Sequence, residues 1–362
     1  MGVFMLEQVA AAFDREDYQT AAQLLREWVK RSPNDPWLKF YMGRLQEVSG
    51  KPKAAAEIYR QILRGSSNAK LMAQARQGIQ RLEVAAKVER QAAIAQATAD
   101  PANQSLGFLV LEAIPNEQRV ELGKRFANLI HTDAYTARGQ LPSRGWRLYR
   151  TGAIGELTVF GEELRQAGIP AFWLSLSQVQ QVEVFQVKYF QALQPQAVVV
   201  CENAAQQMGT LTFAWSEVQQ RVEGLLPLFS QVVDVGYRDQ LEWKEHIEDY
   251  THLGDLHLPQ RRCILRLHDD RYNFQQGITA NREYETLRQS WNELTQAVYQ
   301  PLAQCPVWSD FTQFSESVDD FIDDIERIES HIYVPRAADC YLDPTFHLYS
   351  CLVLAKMAAV GR

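Results

Sequence analysis

Two half-matched tracts in the first eighty residues limit what this chain can fold into. Asp17-Tyr18-Gln19-Thr20-Ala21-Ala22, followed by Leu25, Trp28 and Pro33, is answered by Gly43, Gly50, Ala55, Tyr59, Ile62 and Ser67. Setting Ala21 on Ala55, Leu25 on Tyr59, Trp28 on Ile62 and Pro33 on Ser67 gives a constant shift of 34 residues. A period of that length holds one helical hairpin and its turns. Small residues then fall where the two helices of a hairpin cross, and large apolar ones where the next hairpin stacks. Pro33 falls where the second helix must stop, because it has no N–H to donate. Leu71, Met72, Ala75, Ile79 and Leu82 continue at helical spacing and predict a capping helix. Ala- and Gln-rich sequence from Ala85 to Thr98 predicts a further long helix, ended by Asp100-Pro101-Ala102-Asn103. Residues 1–98 therefore read as helical repeats with a capping helix, and residues 99–106 as a linker.

The period and the spacing of small and large residues resemble the tetratricopeptide repeat, with Val9 and Ala12 standing where that family usually shows Gly and Tyr. The resemblance implies a protein-binding surface. In that architecture the second, fifth, ninth and twelfth positions of each first helix line a concave face. Here these are Val3, Leu6, Ala10 and Phe13, then Trp37, Phe40, Arg44 and Glu47. The expected groove is Leu6, Phe13, Trp37, Phe40, Arg44 and Glu47, an apolar floor with Arg44 above it. It suits an extended or helical peptide with an apolar anchor and an acidic group. Repeats of this family that clamp a C-terminal carboxylate use Lys and Asn where this chain has Leu6, Ala10 and Tyr41, so clamping of that kind is not expected.

A different texture follows. Gly107 to Leu111, Trp146 to Tyr149 and Ala171 to Leu174 read as strands, and Asn116 to His131, Tyr135 to Leu141 and Ile154 to Ala167 as helices. The order β-α-α-β-α-β, with Arg150-Thr151-Gly152 and Glu162-Glu163-Leu164-Arg165-Gln166-Ala167-Gly168-Ile169, resembles the C-terminal domain of ribosomal protein L7/L12 over residues 107–176. That family recruits translation factors through a lysine-rich helix. Glu162, Glu163 and Arg165 do not reproduce it, so only the fold is expected to carry over.

Residues 177–362 read as a β-rich domain with C-terminal helices. Apolar runs at Val184 to Val187, Ala197 to Cys201, Gly209 to Trp215, Val232 to Val235 and Cys263 to Leu267 predict strands. Glu285 to Tyr299, Phe314 to Ile328 and Phe346 to Val360 predict helices. The fold class is thus α+β and multidomain. From end to end, in phrases such as Leu141-Pro142-Ser143-Arg144-Gly145-Trp146-Arg147-Leu148-Tyr149-Arg150 and Asp255-Leu256-His257-Leu258-Pro259, the chain resembles uncharacterised cyanobacterial tetratricopeptide-repeat proteins. That likeness implies a cytoplasmic setting and no chemistry.

Charge divides along the chain. Residues 1–95 hold 15 Lys and Arg against 10 Asp and Glu, and the remainder 22 against 34, so a basic module precedes an acidic one. The basic part would attract an acidic partner, whereas the acidic part opposes nucleic acid, Arg144, Arg147 and Arg150 notwithstanding. Five scattered cysteines with no Cys-x-x-Cys predict neither a disulfide framework nor a zinc ribbon, and point to a reducing cytoplasm. The start of the chain has no basic n-region and predicts no signal peptide. The longest apolar tract, Phe346 to Val360, is interrupted by His347, Ser350 and Lys356 and predicts no transmembrane segment. Peripheral membrane contact through that helix is a third alternative.

Phosphate-loop, dinucleotide and nucleophile-elbow signatures are absent. His246 to His257, with His268-Asp269-Asp270, is dense in imidazole and carboxylate. His252, Asp255 and His257 could converge on a metal from a turn. The spacing matches no metalloenzyme motif, and the competing reading is a polar loop entering a buried strand. Asp319-Asp320-Phe321-Ile322-Asp323-Asp324 spells the magnesium-diphosphate motif of prenyl-transferring enzymes, but without a second facing motif. The expectation is a non-enzymatic, cytoplasmic adaptor, scaffold or assembly factor with no cofactor and no metal. A metal-dependent enzyme with its site in residues 240–275 is the alternative.

Overall fold

The computed structural model describes residues 2–235, 241–279, 286–334 and 340–360. It divides into two compact units, residues 1–96 and 97–362.

The first unit is helical: α1 (Gly2–Asp14), α2 (Tyr18–Arg31), α3 (Pro36–Val48), α4 (Pro52–Gly65) and α5 (Ala69–Ala97). Its boundaries follow from capping chemistry. The Asp17 carboxylate accepts from the Thr20 amide at 3.0 Å, and that of Asp35 from the Trp37 amide at 2.9 Å. Pro36 and Pro52 occupy first-turn positions, where the missing N–H costs no helical bond. α2 ends before Pro33. The capping helix and the Ala- and Gln-rich helix are one continuous α5, since nothing between Leu82 and Ala85 interrupts the backbone bonds. Ala21 and Ala55 are fully buried, with Leu25, Trp28 and Ile62 beside them. Tyr59 lies between α3 and α5 where only glycine leaves room: a Cβ on Gly43 would stand 2.8 Å from its ring, and one on Gly78 2.5 Å.

The second unit opens with β1 (Leu106–Glu112), α6 (Asn116–Ile130), α7 (Ala134–Gln140), β2 (Trp146–Ala153), α8 (Ile154–Gln166), β3 (Ala171–Ser175) and α9 (Leu176–Gln180). The strands form an antiparallel sheet in the order β2-β1-β3. β1 is apolar from Leu106 to Leu111 because both faces are covered there. Leu109 and Leu111 pack with Phe126, Leu157 and Phe160, while Phe108 and Val110 face a second core. That second core also holds Val222, Leu253, Phe311 and Phe346, so residues 107–176 share one interior with residues 177–362.

The larger sheet comprises β4 (Glu183–Ala192), β5 (Ala197–Glu202), β6 (Met208–Phe213), β7 (Gln220–Val235), β8 (Leu241–Leu258) and β9 (Cys263–His268), joined by β10 (Val307–Trp308). Its order is β10-β7-β8-β9-β4-β5-β6. α10 (Leu287–Tyr299) covers one face, where Trp291, Leu294 and Val298 meet Leu256, Leu265 and Leu267. The other face receives α11 (Phe311–Ser315), α12 (Ile322–Ile325) and α13 (Leu342–Val360).

One expectation changes, and the C-terminal helix is buried as its sequence suggests. The helix read from Phe314 to Ile328 is broken into α11, a 3-10 turn at Asp319–Phe321 and α12. Ser317 interrupts it, donating to the Phe314 carbonyl at 2.6 Å and accepting the Leu148 amide at 2.9 Å. The C-terminal helix is closed in rather than free for a membrane: every residue from Phe346 to Leu354 is buried. Among the described residues, no helix is long and apolar enough to cross a membrane.

Candidate functional site

In the helical unit, α1, α3 and α5 lie side by side. The Arg44 guanidinium of α3 sits 5.0 Å above the Phe13 ring of α1. Glu47 of α3 accepts from Arg81 of α5, at 2.9 Å from Nε and 3.0 Å from Nη2. Glu47 and Arg81 stand 34 residues apart in the sequence. The Tyr59 hydroxyl donates to the same carboxylate at 2.6 Å. Burial would raise the Glu47 carboxyl, but the hydrogen bonds from Arg81 and Tyr59 hold it below its ordinary value.

The six expected groove residues separate on this scaffold. Leu6 and Phe13, and Trp37 and Arg44, repeat at seven-residue spacing and so share helix faces. Leu6, Trp37, Arg44 and Glu47 are half-buried. Phe13 and Phe40 are only 4% and 2% exposed. Phe40, expected on the groove floor, is closed in by Trp37, Tyr41 and Tyr59, with ring centroids 5.3 to 5.9 Å away. It presents almost no surface to a partner. Arg44 keeps its Nε buried without a hydrogen-bond partner. Arg81 escaped the sequence reading, although a shift of 34 residues from Glu47 is a signal that finds it, and Tyr59 was read as a stacking position without its bond to Glu47.

The His- and Asp-rich tract of the second unit is strand β8, not a loop. Asp255 and His257 project to one face, while His252, an odd number of positions away, belongs to the other. The three do not converge, and among the described residues no group of three His, Cys, Asp or Glu is placed to hold a metal. Asp255 instead meets Arg266, its cross-strand partner on β9, in a bidentate pair of 2.8 and 2.7 Å with both side chains fully buried. Arg266 also donates to the Ser330 carbonyl at 2.8 Å.

A buried chain of hydrogen bonds continues from this pair. Gln220 Nε2 donates to the Val353 carbonyl at 2.9 Å and lies 3.1 Å from His257 Nδ1, while its Oε1 accepts from Trp308 at 3.2 Å. His257 Nε2 is then the donor to Ser350 Oγ at 2.8 Å, and Ser350 donates to Asp255 Oδ2 at 2.6 Å. These are the residue types of a hydrolytic triad in a different order. The serine proton goes to the carboxylate, the imidazole donates to the serine rather than accepting from it, and no substrate reaches either. Burial pushes His257 down to about 4 and holds His347, nearby on α13, well below the ordinary imidazole range. Gln220, Arg266 and Ser350 carried no signal in the sequence.

The other candidates are engaged within the fold. Asp269 accepts from Thr251 at 2.5 Å and from the His252 amide at 3.0 Å. Asp324 of the acidic motif accepts from Thr151 at 2.6 Å, and Arg150 lies 3.7 Å from Glu156. No protein-family model, curated protein or solved structure matches the chain.

Proposed function

We propose that this protein is a non-enzymatic adaptor, scaffold or assembly factor that binds another protein on the face formed by α1, α3 and α5. In this reading residues 1–98 are tetratricopeptide-like hairpins, a view supported by the contact between Glu47 and Arg81 one period apart. The observation that carries the function is Arg44. Its guanidinium rests on Phe13 with Nε unpartnered, on the same helix face as half-buried Trp37, while the adjacent acid, Glu47, is held by Arg81 and Tyr59. A carboxylate of the partner pairs with the terminal nitrogens of the Arg44 guanidinium, and an apolar group covers Trp37 and Leu6. The net +5 of residues 1–95 favours an acidic partner. The five cysteines are free, which suits the reducing cytoplasm expected of such a factor.

The test is capture of partners from the native organism, read by mass spectrometry, with Arg44→Glu and Trp37→Ala variants checked for unchanged helicity. Arg44→Glu should abolish capture at low salt, and Trp37→Ala should weaken it by about 2 kcal/mol. If both variants stay folded and retain every partner of the native chain, binding on this face is refuted. Phe40 is unsuited to the test because its removal would damage the core.

A further inference from the structure

The sheet of the second unit has an open edge beside a cleft. β7 is 16 residues long, but its outer neighbour β10 spans two, pairing Val307 with Arg221 and Trp308 with Val222 in parallel. The chain then turns into α11, and among the described residues no strand lies against β7 beyond Val222. The Arg221 amide donates outward to the Pro306 carbonyl at 3.0 Å. Outward backbone groups therefore recur at Glu223 and Leu225. The next outward position is Pro227, which has no N–H, a residue that sheets tolerate at an edge.

The cleft beside this edge has a volume of about 360 Å³ and is lined by Leu225, His252, Trp291, Thr295, Tyr299 and Phe311. Leu225 is 44% exposed. Tyr299 lies against the floor because residue 254 is glycine: a Cβ there would stand 2.3 Å from its hydroxyl. His252 Nε2 is buried without a hydrogen-bond partner, and burial lowers the pKa of the imidazole. Arg221 answers Glu223 at 2.8 Å, and Arg288 of α10 lies 3.7 Å from Asp249 of β8.

We propose that the outer edge of β7 at Glu223 and Leu225 accepts an extended segment of a partner protein, added as a strand in continuation of β10. The segment places an aromatic side chain in the cleft, against Trp291, Tyr299 and Phe311. Main-chain hydrogen bonds supply affinity in such an arrangement, and the side-chain pocket supplies selectivity. The surface belongs to the second unit and the helical face to the first.

The test uses the full chain and a fluorescein-labelled peptide, Lys-Thr-Val-Trp-Val-Thr-Lys, followed by anisotropy and by amide hydrogen exchange. The peptide should bind and slow exchange at Leu225. Replacing its Trp by Ala should weaken binding roughly tenfold. Leu225→Pro, which removes an edge N–H, should abolish binding. Thr312 also lines the cleft, so Thr312→Arg, which obstructs it and leaves the β7 backbone intact, should weaken binding to the same extent as loss of the peptide's Trp. Absence of binding by the native chain, binding without slowed exchange, or indifference to the Thr312 variant would overturn the proposal. So would N-acetyl-tryptophanamide binding as tightly as the peptide, which would make the cleft a small-molecule site.

Discussion

At the scale of single residues, the second unit depends on charges and dipoles that have no solvent. Asp255 and Arg266 are each fully buried and each satisfied by the other. Removing one leaves the other charged and unpaired, so Arg266→Leu should cost about 3 to 5 kcal/mol in chemical denaturation. Replacing both partners by leucine should recover most of that loss. His257 adds a pH dependence. Its folded pKa, lowered to about 4, lies below the unfolded value of about 6.5, so the unfolded chain binds more protons in between. Stability is then complete above pH ~6.5 and falls as the pH drops toward 4, by up to about 3 kcal/mol. His257→Gln should flatten that part of the profile, and an unchanged slope would count against the buried neutral imidazole. Asp255 and His257 were conspicuous in the sequence, but as a metal site. Their actual partners lie 11 and 93 residues or more away in Arg266 and Ser350, beyond any local pattern.

At the scale of elements, periodicity was readable wherever one face is buried and the other is wet. The helices of the first unit follow from the recurrence of Ala21, Leu25 and Trp28 at Ala55, Tyr59 and Ile62. Ala55→Leu should overpack its helix crossing and cost ~1 to 3 kcal/mol, seen as a lower thermal midpoint; an unchanged midpoint would refute the close crossing. β8 was half-legible: Leu253, Leu256 and Leu258 suggest its buried end, but the polar residues before them read as a loop when their partners are unknown. Its face at Gly254 is packed tightly. Gly254→Ala should destabilise through its 2.3 Å encounter with the Tyr299 hydroxyl, and a second change, Tyr299→Phe, should restore part of the loss. An additive double variant would argue against that contact. The groove was half-legible for a similar reason: seven-residue spacing puts Trp37 and Arg44 on one face, but whether a ring on that face is open or covered depends on the neighbouring helix.

At the scale of the whole molecule, two units with separate cores predict two separable responses to destabilisation. Phe346 of α13 is fully buried among residues of both sheets, so Phe346→Ala should lower the stability of the second unit by about 3 to 5 kcal/mol. The melting of the helical unit should be unaffected, as read from exchange of its amides; a common shift in both would show one cooperative body. Local spacing and composition by themselves determined the helical character of the first unit, the β-α-α-β-α-β order and the opposite charges of the two parts, because each is written within a few turns or strands of chain. Tertiary structure alone decided that the two sheets share a core, that α13 is enclosed, and that Asp255 meets Arg266 instead of a metal. It also decided that Phe40 is closed in while Arg44 keeps an unpartnered nitrogen. Burial is a property of what packs against a residue, and hydrogen-bond partners are chosen in space, so neither is encoded in the spacing of neighbours along the chain.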